Sequence, residues 1–497
     1  MDFHNLLENL KNQSFFSNLI IERGIEKESL RVTKNGYISN KKHPETLGSS
    51  YTNPSITTDF AESLIEIVTP TYTSVDELYE KLKIIHIFIN QNLNDGEMLW
   101  PFSMPPKIED ERKINIATYG KTNMGRLKHV YRKGLAIRYG KTMQCVSGIH
   151  YNFSISDKSL KHLGYSSQNE KNKAYLNLIR NFKRLFWFVL IEFGNSPVVD
   201  KSFVAGRAND LDILNESDLF KPYATSLRMS DIGYQSKAQK NLNIKYNDLD
   251  AFLSELKNAI INPYSDFEKL GLKDNDNKFH QISNGILQIE NELYDCIRPK
   301  RAGQSGQRPY QLLKEQGIQY VEVRGIDLNP SEAIGISKDH IRILDLLLIY
   351  CLITPSRKMT DKEKIQIEQQ DINVIKSGRN PNLKVLYKDR GISINLARQE
   401  LIKDLRQLAL EFKDQAFVDA IKNLGSFKKN KFNQAESFHD YGIKKTIENF
   451  QTINSFSNFD VELCEKEASD SLKEFDRINQ KQEIAFDEFV NSYNSKI

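Results

Sequence analysis

The chain has few cysteines, and none of them lie close together in the sequence. Its four cysteines form no C-x-x-C pair: Cys145, Cys296, Cys351 and Cys464. This spacing predicts neither a zinc site nor a disulfide framework. Long apolar runs are also missing, since Leu185–Ile191 and Ile343–Ile353 are shorter than the ~20 residues that span a bilayer. The first residues lack the basic and apolar regions of a secretory signal, so we expect a reducing, cytoplasmic environment.

An excess of either charge is missing as well. The chain of 497 residues has 69 basic and 65 acidic residues, a formal net charge of +4. This balance argues against nucleic acid or an anionic membrane as a partner. Hydrophobic residues make up 39% of the chain, enough for a sizeable core. No linker or repeat divides it, so we predict a single unit over 1–497, with the sheet and active-site motifs in 1–355 and a mainly helical packing region in 356–497.

Apolar residues recur every three or four positions in several segments, which predicts helices. The clearest are Val75–Asn92, Asn172–Phe193 and Lys338–Ile353. The region from about Met359 onward is charged with a helical pattern and ends in Ala468–Tyr493. It contains no motif that indicates chemistry.

The segment Arg23–Val32 places two acids on one face of a predicted strand. Because side chains alternate between the faces of a strand, four residues share one face: Glu26, Glu28, Leu30 and Val32. Carboxylates two residues apart on a strand are separated by roughly 6–7 Å. At that distance their repulsion is about 3 kcal/mol at an effective dielectric constant of about 20. A cation between the acids would remove this repulsion, so the segment indicates a metal-dependent enzyme.

Three further predicted strands have one apolar and one polar face. They are Glu62–Val68, Gly148–Ile155 and Gln319–Arg324. The first strand contributes Glu66, and Asp59 lies just upstream of it. The polar face of the second strand contains His150, Asn152 and Ser154, and that of the third contains Tyr320, Glu322 and Arg324. A single acid or histidine on a strand is more often a surface residue than a ligand. The repetition in four strands favours a sheet with one catalytic face and helices against the other.

A nucleotide at such a sheet would be held without a P-loop. The two Gly-Lys-Thr sequences at 120–122 and 140–142 have Asn115 and Leu135 where that motif requires its first glycine. Carboxylates with a single histidine suit Mg²⁺ or Mn²⁺, which can bridge the phosphates of ATP instead. Arginines and tyrosines at 131–132, 222–234 and 291–301 are suited to a substrate carboxylate. The residues alone therefore indicate a Mg²⁺-dependent, ATP-using enzyme that acts on a carboxylate.

Taken together, seven blocks of the chain resemble the glutamate–cysteine ligases of the proteobacterial type 1. The blocks are Arg23–Val32, Thr57–Pro70, Trp100–Pro105, Tyr119–Ser154, Pro222–Tyr234, Gln288–Arg301 and Tyr320–Pro330. The resemblance implies the α+β fold of the glutamine-synthetase-like carboxylate–amine ligases, with a curved, mainly antiparallel sheet that has a polar catalytic face and helices on its other side. It also implies a reaction in which ATP phosphorylates the γ-carboxylate of L-glutamate and the amine of L-cysteine displaces the phosphate. The product would be γ-glutamylcysteine, formed in the first step of glutathione biosynthesis.

The resemblance also implies roles for individual residues. The Mg²⁺ and ATP-phosphate site would comprise Glu26, Glu28, Asp59, Glu66, His150 and Glu322. Of these, Glu28 and Glu322 would be catalytic together with Arg324, which would stabilise the phosphoryl group in transfer. Cysteine would contact Tyr131, Leu135, Arg228, Tyr234 and Tyr294, with Arg228 on its carboxylate. Only small-molecule partners are expected, and the protein is expected to be a monomer.

Three alternatives remain open from the sequence. One is a ligase of the same fold that uses another amino-acid acceptor. The second is a non-catalytic regulator that binds a metal or nucleotide. The third is a structural or interaction protein built around the C-terminal helical region, for which the acid clusters would tolerate alanine.

Overall fold

A seven-stranded sheet lies at the centre of the computed structural model, which describes residues 3–233, 236–304, 306–426, 435–457 and 459–497. The strands are β1 (Ile21–Thr33), β2 (Ile56–Thr58), β3 (Leu64–Val68), β4 (Glu97–Leu99), β5 (Ile149–Ile155), β6 (Val198–Asp200), β7 (Asp212–Ile213), β8 (Asp218–Phe220), β9 (Ile297–Lys300), β10 (Tyr320–Ile326), β11 (Lys384–Tyr387) and β12 (Arg390–Ser393). The central sheet has the order β2–β3–β1–β5–β10–β9, with β4 beside one end of β1. All its strand pairs are antiparallel, as predicted.

Helices surround this sheet. They are α1 (Phe3–Asn12), α2 (Val75–Asn92), α3 (Asn123–Tyr139), α4 (Asp157–His162), α5 (Gln168–Phe193), α6 (Leu249–Ile261), α7 (Ser265–Glu268), α8 (Pro309–Gln316), α9 (Lys338–Ile353), α10 (Asp361–Ser377), α11 (Ile394–Glu411), α12 (Gln415–Asn423), α13 (Phe438–Ser455), α14 (Glu462–Asn479) and α15 (Phe486–Asn494). The predicted helices over Val75–Asn92 and Lys338–Ile353 are confirmed. The third, α5, begins four residues before its predicted start because Ser167 and Glu170 form a capping box at its N-terminus.

Helices α2, α5 and α9 pack on one face of the sheet, which we call the rear face. The odd-numbered residues of the strands point to this face and join the main hydrophobic core, among them Ile25, Ile67, Tyr151, Phe153 and Val323. The even-numbered residues therefore point away from the helices. This arrangement leaves the polar face of the four predicted strands free to form a site.

The rear face of β1 also contains charged residues, which the alternating pattern did not assign to the core. Arg23 Nε donates a hydrogen bond to Asp345 Oδ2 on α9, at 2.8 Å, and both side chains are buried. Lys27 Nζ donates to Ser29 Oγ at 2.8 Å and lies 2.9 Å from His86 Nε2 on α2. Burial lowers the pKa of Lys27 to about 7. Both faces of β1 thus contain ionisable side chains.

Residues 356–497 pack against the rest of the chain over a wide area. Helices α11 and α12 contact α9, α10 contacts α5, and α13 and α14 contact α2. The predicted helical segment Ala468–Tyr493 is interrupted, because α14 ends at Asn479 and α15 starts at Phe486. The short antiparallel pair β11–β12 also lies in this region. The division into 1–355 and 356–497 stays a prediction.

Two further findings bear on the predictions from composition. All four cysteines are buried and unpaired. In the part of the chain that the structure describes, no helix combines the length and the apolar character that crossing a bilayer requires.

Candidate active site

The polar face of the sheet forms the floor of a cavity of about 520 Å³. Helix α3 and the segments around residues 228–233, 289–294 and 303–309 form its walls. Eleven of the twelve predicted site residues line it: Glu26, Glu28, Asp59, Glu66, Tyr131, Leu135, His150, Arg228, Tyr294, Glu322 and Arg324. The twelfth, Tyr234, lies outside the described residues. The structure thus brings together side chains from seven separate segments of the sequence.

Antiparallel pairing sets the acids of β1 beside polar residues of both neighbouring strands. Glu26 lies opposite His150 on β5, and Glu28 lies opposite Glu66 on β3. His150 Nδ1 is 3.1 Å from Glu26 Oε2, and its Nε2 is 3.6 Å from Glu28 Oε1. Asn152 Nδ2 donates a 2.9 Å hydrogen bond to Glu26 Oε1. The imidazole therefore lies between Glu26 and Glu28.

The pKa values of these acids depend on their burial and on the charges that surround each of them. Burial raises the pKa of Glu66 well above its usual value, and the negative charges of Asp59, Glu26 and Glu28 raise it further. Burial also raises the pKa of Glu28, although His150 opposes the shift. At Glu26 burial has the same effect and is the largest single influence, but the interactions with His150 and Lys300 together outweigh it, so the pKa is lowered. Around Glu66 the site thus has an excess of negative charge.

Three side chains of the site are close enough to share one metal ion. One ligand atom each of Glu26, His150 and Glu322 lies within 4.8 Å of the other two. Two carboxylates and one imidazole form a donor set that suits Mg²⁺ or Mn²⁺. The raised pKa of Glu66 fits the same conclusion, because a cation bound here would offset the repulsion among the acids. The residues present therefore fit the predicted divalent cations.

Glu322 on β10 differs from the other acids because cations surround it. Its Oε2 accepts hydrogen bonds from Arg298 Nη2 at 2.8 Å and from Arg324 Nη1 at 3.1 Å, and Lys300 Nζ is 3.2 Å from Oε1. Burial raises the pKa of Glu322, but these cations outweigh it, and the pKa lies well below its usual value. The pairing of β10 with β5 shifts by one residue between Val323 and Ile326, beside Arg324. This end of the sheet is suited to an anionic ligand.

One face of α3 forms the opposite wall. Lys128, Tyr131, Arg132 and Leu135 all line the cavity and follow the i, i+3, i+4, i+7 spacing of a single helix face. The Arg132 guanidinium lies 4.6 Å from the centre of the Tyr119 ring and donates a hydrogen bond to the Asp59 carbonyl. Sequence reasoning missed Lys128 and offered Arg132 only as a group suited to a substrate carboxylate, without a specific role. Helical spacing from Tyr131 and Leu135 would have found both.

Arg228 is held rigidly at the side of the cavity. Its Nε donates to Asp327 Oδ1 at 2.7 Å, and its Nη2 donates to the Ile326 carbonyl at 2.9 Å. A side chain at Gly148 would collide with Nη1, because a Cβ there would lie 2.7 Å from that atom. Within the described residues, Nη1 makes no hydrogen bond. The guanidinium is thus fixed in position with one nitrogen available for a carboxylate.

The C-terminal region also reaches the cavity, although the sequence pattern had suggested only packing there. Tyr493 on α15 lines it, and its carbonyl accepts a 3.3 Å hydrogen bond from Arg308 Nη1. Arg308 is itself paired with Glu290 at 2.9 Å, and both side chains are buried. No local signal marks Tyr493, because its position depends on contacts with residues about 185 positions earlier in the chain.

A family model described as glutamate–cysteine ligase matches residues 5–374. The glutamate–cysteine ligase of Pseudomonas aeruginosa strain LESB58 is 40% identical over 498 residues, covering 95% of this chain and 94% of that protein. The enzyme of the same name from Hahella chejuensis is 46% identical over 365 residues, covering 72% of this chain and 69% of that protein.

Solved structures give the same result. The crystal structure of a glutamate–cysteine ligase from Francisella tularensis in complex with AMP has a TM-score of 0.90 and 32% identity, covering 96% of this chain and 98% of that chain. A bifunctional glutathione synthetase from Pasteurella multocida has a TM-score of 0.62 at 22% identity, covering 95% of this chain and 54% of that one, and shares the fold. The predicted α+β ligase fold is confirmed.

Proposed function

The chain belongs to the glutamate–cysteine ligase family, and we propose that its cavity has a phosphoryl-transfer end on the sheet and a cysteine end beside α3 and Arg228. The enzyme joins the γ-carboxylate of L-glutamate to the amine of L-cysteine in a reaction that converts ATP to ADP and phosphate, the first step of glutathione biosynthesis. A carboxylate is a poor electrophile, so the reaction passes through γ-glutamyl phosphate. One observation supports this division of the cavity into two ends: the acids, the guanidinium groups and the polar side chains of α3 all line the same cavity.

The acids of the sheet hold Mg²⁺, or Mn²⁺ in its place. Glu26, His150 and Glu322 are the first set of ligands because their donor atoms already lie within 4.8 Å of one another. Glu28, Asp59 and Glu66 complete the site, and the raised pKa of Glu66 supports this assignment. When bound, the cations supply positive charge that lets the ATP phosphates and the glutamate carboxylate approach each other.

Arg324 stabilises the phosphoryl group during its transfer. Its Nη1 is 3.1 Å from Glu322 Oε2 and 3.5 Å from His150 Nδ1, at the border between the acids and the basic end of the sheet. Arg298 and Lys300 add positive charge beside it. Charge that develops on the transferring group is stabilised strongly by hydrogen-bond donors that the fold already holds in position.

The cysteine end lies between α3 and Arg228. The Arg228 guanidinium binds the cysteine carboxylate, and Tyr131, Leu135 and Tyr294 surround the rest of the amino acid. The amine then attacks the acyl carbon of γ-glutamyl phosphate, the bond from that carbon to the phosphate oxygen breaks, and the amine loses a proton as phosphate leaves. Tyr234 stays a prediction for this pocket. Its neighbour Gly233 lines the cavity.

The whole chain acts as one catalytic unit and as a monomer in the cytoplasm. A single chain provides the walls of the cavity, including Tyr493 from the C-terminal region. The four buried thiols suit a reducing compartment.

A coupled ADP-release assay with single omissions tests the proposal. Purified enzyme with Mg²⁺ and ATP should release ADP at full rate only when glutamate and cysteine are both present. Replacing cysteine with ammonia or glycine should lower turnover strongly, because neither can fill the α3 pocket. Equal turnover with ammonia would contradict the assignment of the cysteine end.

A further inference from the structure

Lys128 has an ammonium group that faces the cavity and, among the described residues, forms no ion pair. Its Nζ lies 5.0 Å from the centre of the Tyr51 ring and 5.4 Å from that of Tyr119. Within the described residues, no carboxylate oxygen lies within the 4.0 Å of an ion pair. Burial and the nearby charge of Arg132 lower the pKa of Lys128 to about 8, and the more distant charge of Glu66 opposes this shift only in part. The side chain therefore still carries its charge at neutral pH.

The other cations of the cavity have protein partners. Arg298, Lys300 and Arg324 surround Glu322, and Arg228 pairs with Asp327. Arg132 donates hydrogen bonds to the carbonyls of Asp59 and Lys128. Aromatic faces stabilise a lysine only partly, because they carry no net charge. A half-buried ammonium without a direct ion pair is suited to bind an anionic group of a ligand.

The position of Lys128 distinguishes among the anionic groups of the substrates. Tyr51 and Tyr119 lie at the β2 edge of the sheet, where the Tyr119 hydroxyl donates to the Thr58 carbonyl at 2.8 Å. Arg298 and Lys300, which suit phosphates, lie on β9 at the opposite edge. Arg228 is already assigned to the cysteine carboxylate. The remaining anionic group is the α-carboxylate of glutamate, whose γ-carboxylate reacts at the centre of the sheet.

We propose that Lys128 binds the α-carboxylate of L-glutamate. This inference rests on the proposed function, because it takes the acids and Arg324 as the place where the γ-carboxylate reacts. Glutamate then lies across the sheet with its reacting end at Arg324 and its α-carboxylate towards the β2 edge. Lys128 thereby selects acids that carry a second carboxylate.

Substitution at Lys128 combined with a truncated substrate tests the proposal. γ-Aminobutyrate is glutamate without its α-carboxylate, so it retains the reacting carboxylate and the amine. In Lys128→Met we expect the KM for glutamate to rise by about 10- to 100-fold, whereas the KM values for ATP and cysteine stay within about threefold. The inhibition constant of γ-aminobutyrate should be the same in both enzymes. Lys128→Arg, which keeps the charge, should restore most of the glutamate affinity.

Lys133→Met is the matched control. Lys133 is also on α3 but does not line the cavity, and its loss should leave all three KM values unchanged. A rise in the KM for ATP instead of glutamate would overturn the proposal and assign Lys128 to a phosphate. An equal loss of glutamate and γ-aminobutyrate binding would overturn it in favour of a packing role.

The same assays separate this inference from the proposed function. If wild-type enzyme failed to release ADP with glutamate and cysteine, the proposed function would be wrong. If the wild type is active and Lys128→Met keeps its glutamate KM, only the inference about Lys128 is wrong. Should Lys128→Met fail to fold, as judged by thermal melting, Lys128→Arg and Lys128→Gln provide the same comparison.

Discussion

Glu66 and Glu322 occupy the same face of the sheet, yet opposite charges surround them. Glu66 faces other acids, whereas Glu322 lies among Arg298, Lys300 and Arg324. Neutralising each residue should therefore have opposite effects on the stability of the metal-free protein. The pair offers a test of the cation site that is independent of turnover.

Glu66→Gln should stabilise the metal-free enzyme and weaken its response to Mg²⁺. Removing one of several clustered negative charges should raise the free energy of unfolding by on the order of 1 kcal/mol. Urea unfolding in EDTA measures this gain, and the rise in melting temperature on adding Mg²⁺ should shrink. Glu322→Gln is the control, since it leaves three cations without their acid and should destabilise the protein. A Glu66→Gln variant less stable than wild type in EDTA would argue against a cation site.

His43 should make the protein sensitive to acid. Burial lowers its pKa to about 3, and the charge of Arg31 contributes to the shift. The unfolded chain therefore binds a proton at a pH where the folded chain does not, so stability is lost as pH falls from about 6.5 towards 3. At pH 5 the loss is about 2 kcal/mol.

His43→Leu should remove this loss. Urea unfolding at pH 7.5 and pH 5 gives the change in stability for both proteins, and the change should be smaller in the variant. Other groups titrate between pH 5 and pH 7.5 in both proteins and contribute equally to both changes in stability. The difference between wild type and variant therefore gives the contribution of His43 alone. An identical change would show that the histidine is protonated in the folded state.

Single residues were predictable where a local pattern was sufficient. The period of two placed Glu26, Glu28, Glu66 and Glu322 on one face without further information. It could not place Arg23 in the core, because the pattern counts arginine as an outward residue. Arg23 is buried only because Asp345, 322 positions later, neutralises it. A local pattern contains no information about such a distant partner.

At the scale of elements, a buried network joins α3 to the segment 288–294. Arg138 Nη1 is 3.2 Å from Glu292 Oε1, and both side chains are fully buried. The Tyr139 hydroxyl donates to the same oxygen at 2.9 Å, and the backbone N–H of Gln288 donates to Glu292 Oε2 at 2.7 Å. Because α3 carries Tyr131 and the segment carries Tyr294, this network sets the width of the proposed cysteine pocket.

Tyr139→Phe should therefore weaken cysteine binding without direct contact to the substrate. Loss of one hydrogen bond to a buried carboxylate costs about 1.5–3 kcal/mol and loosens the two walls. We expect the KM for cysteine to rise several-fold, with little change in the KM for ATP. Tyr37→Phe, against His439 and away from the cavity, is the control. Equal changes in all KM values would indicate a general loss of stability instead.

Helices were predictable where apolar residues recur regularly along the sequence. Helices α2 and α9 were predicted at their observed ends because their apolar stripes are regular and, for α9, because Pro355 follows its end. In the structure serine caps precede both helices. The break between α14 and α15 was not predicted, because the charged sequence there shows a continuous helical pattern. Packing of Phe486 and Val490 against Leu127 of α3 decides where the last helix lies.

At the scale of the whole molecule, the core extends across the predicted boundary at residue 355. Helix α9 is buried along its length, and α11 and α12 cover it with Leu401, Leu405 and Ala420. The ordered blocks of sequence had been enough to predict the fold and the reaction. The blocks lie between residues 23 and 330, so they gave no information on how the last third closes the core.

A fragment of residues 1–355 should therefore not fold by itself. The fragment lacks α10–α15, so the apolar surface of α9 is exposed and Tyr493 is missing from the cavity. We expect an aggregated product without a cooperative thermal transition, measured by gel filtration and circular dichroism. Co-expression with residues 356–497 should recover some soluble, active complex. A soluble 1–355 fragment with normal ADP release would contradict the single-unit proposal.

The charges on both faces of β1 have a consequence for how the sheet assembles. A shift of β1 by one residue against β3 and β5 would turn Glu26 and Glu28 towards the helices and Arg23 and Lys27 towards the cation site. Glu26 and Glu28 would then be buried among apolar side chains, and Asp345 would lose Arg23, at a penalty of several kcal/mol apiece. A strand with one charged face would incur a smaller penalty. The alternating charges thus exclude misaligned pairings while the chain folds, and they fix the spacing of the metal ligands before any metal is bound.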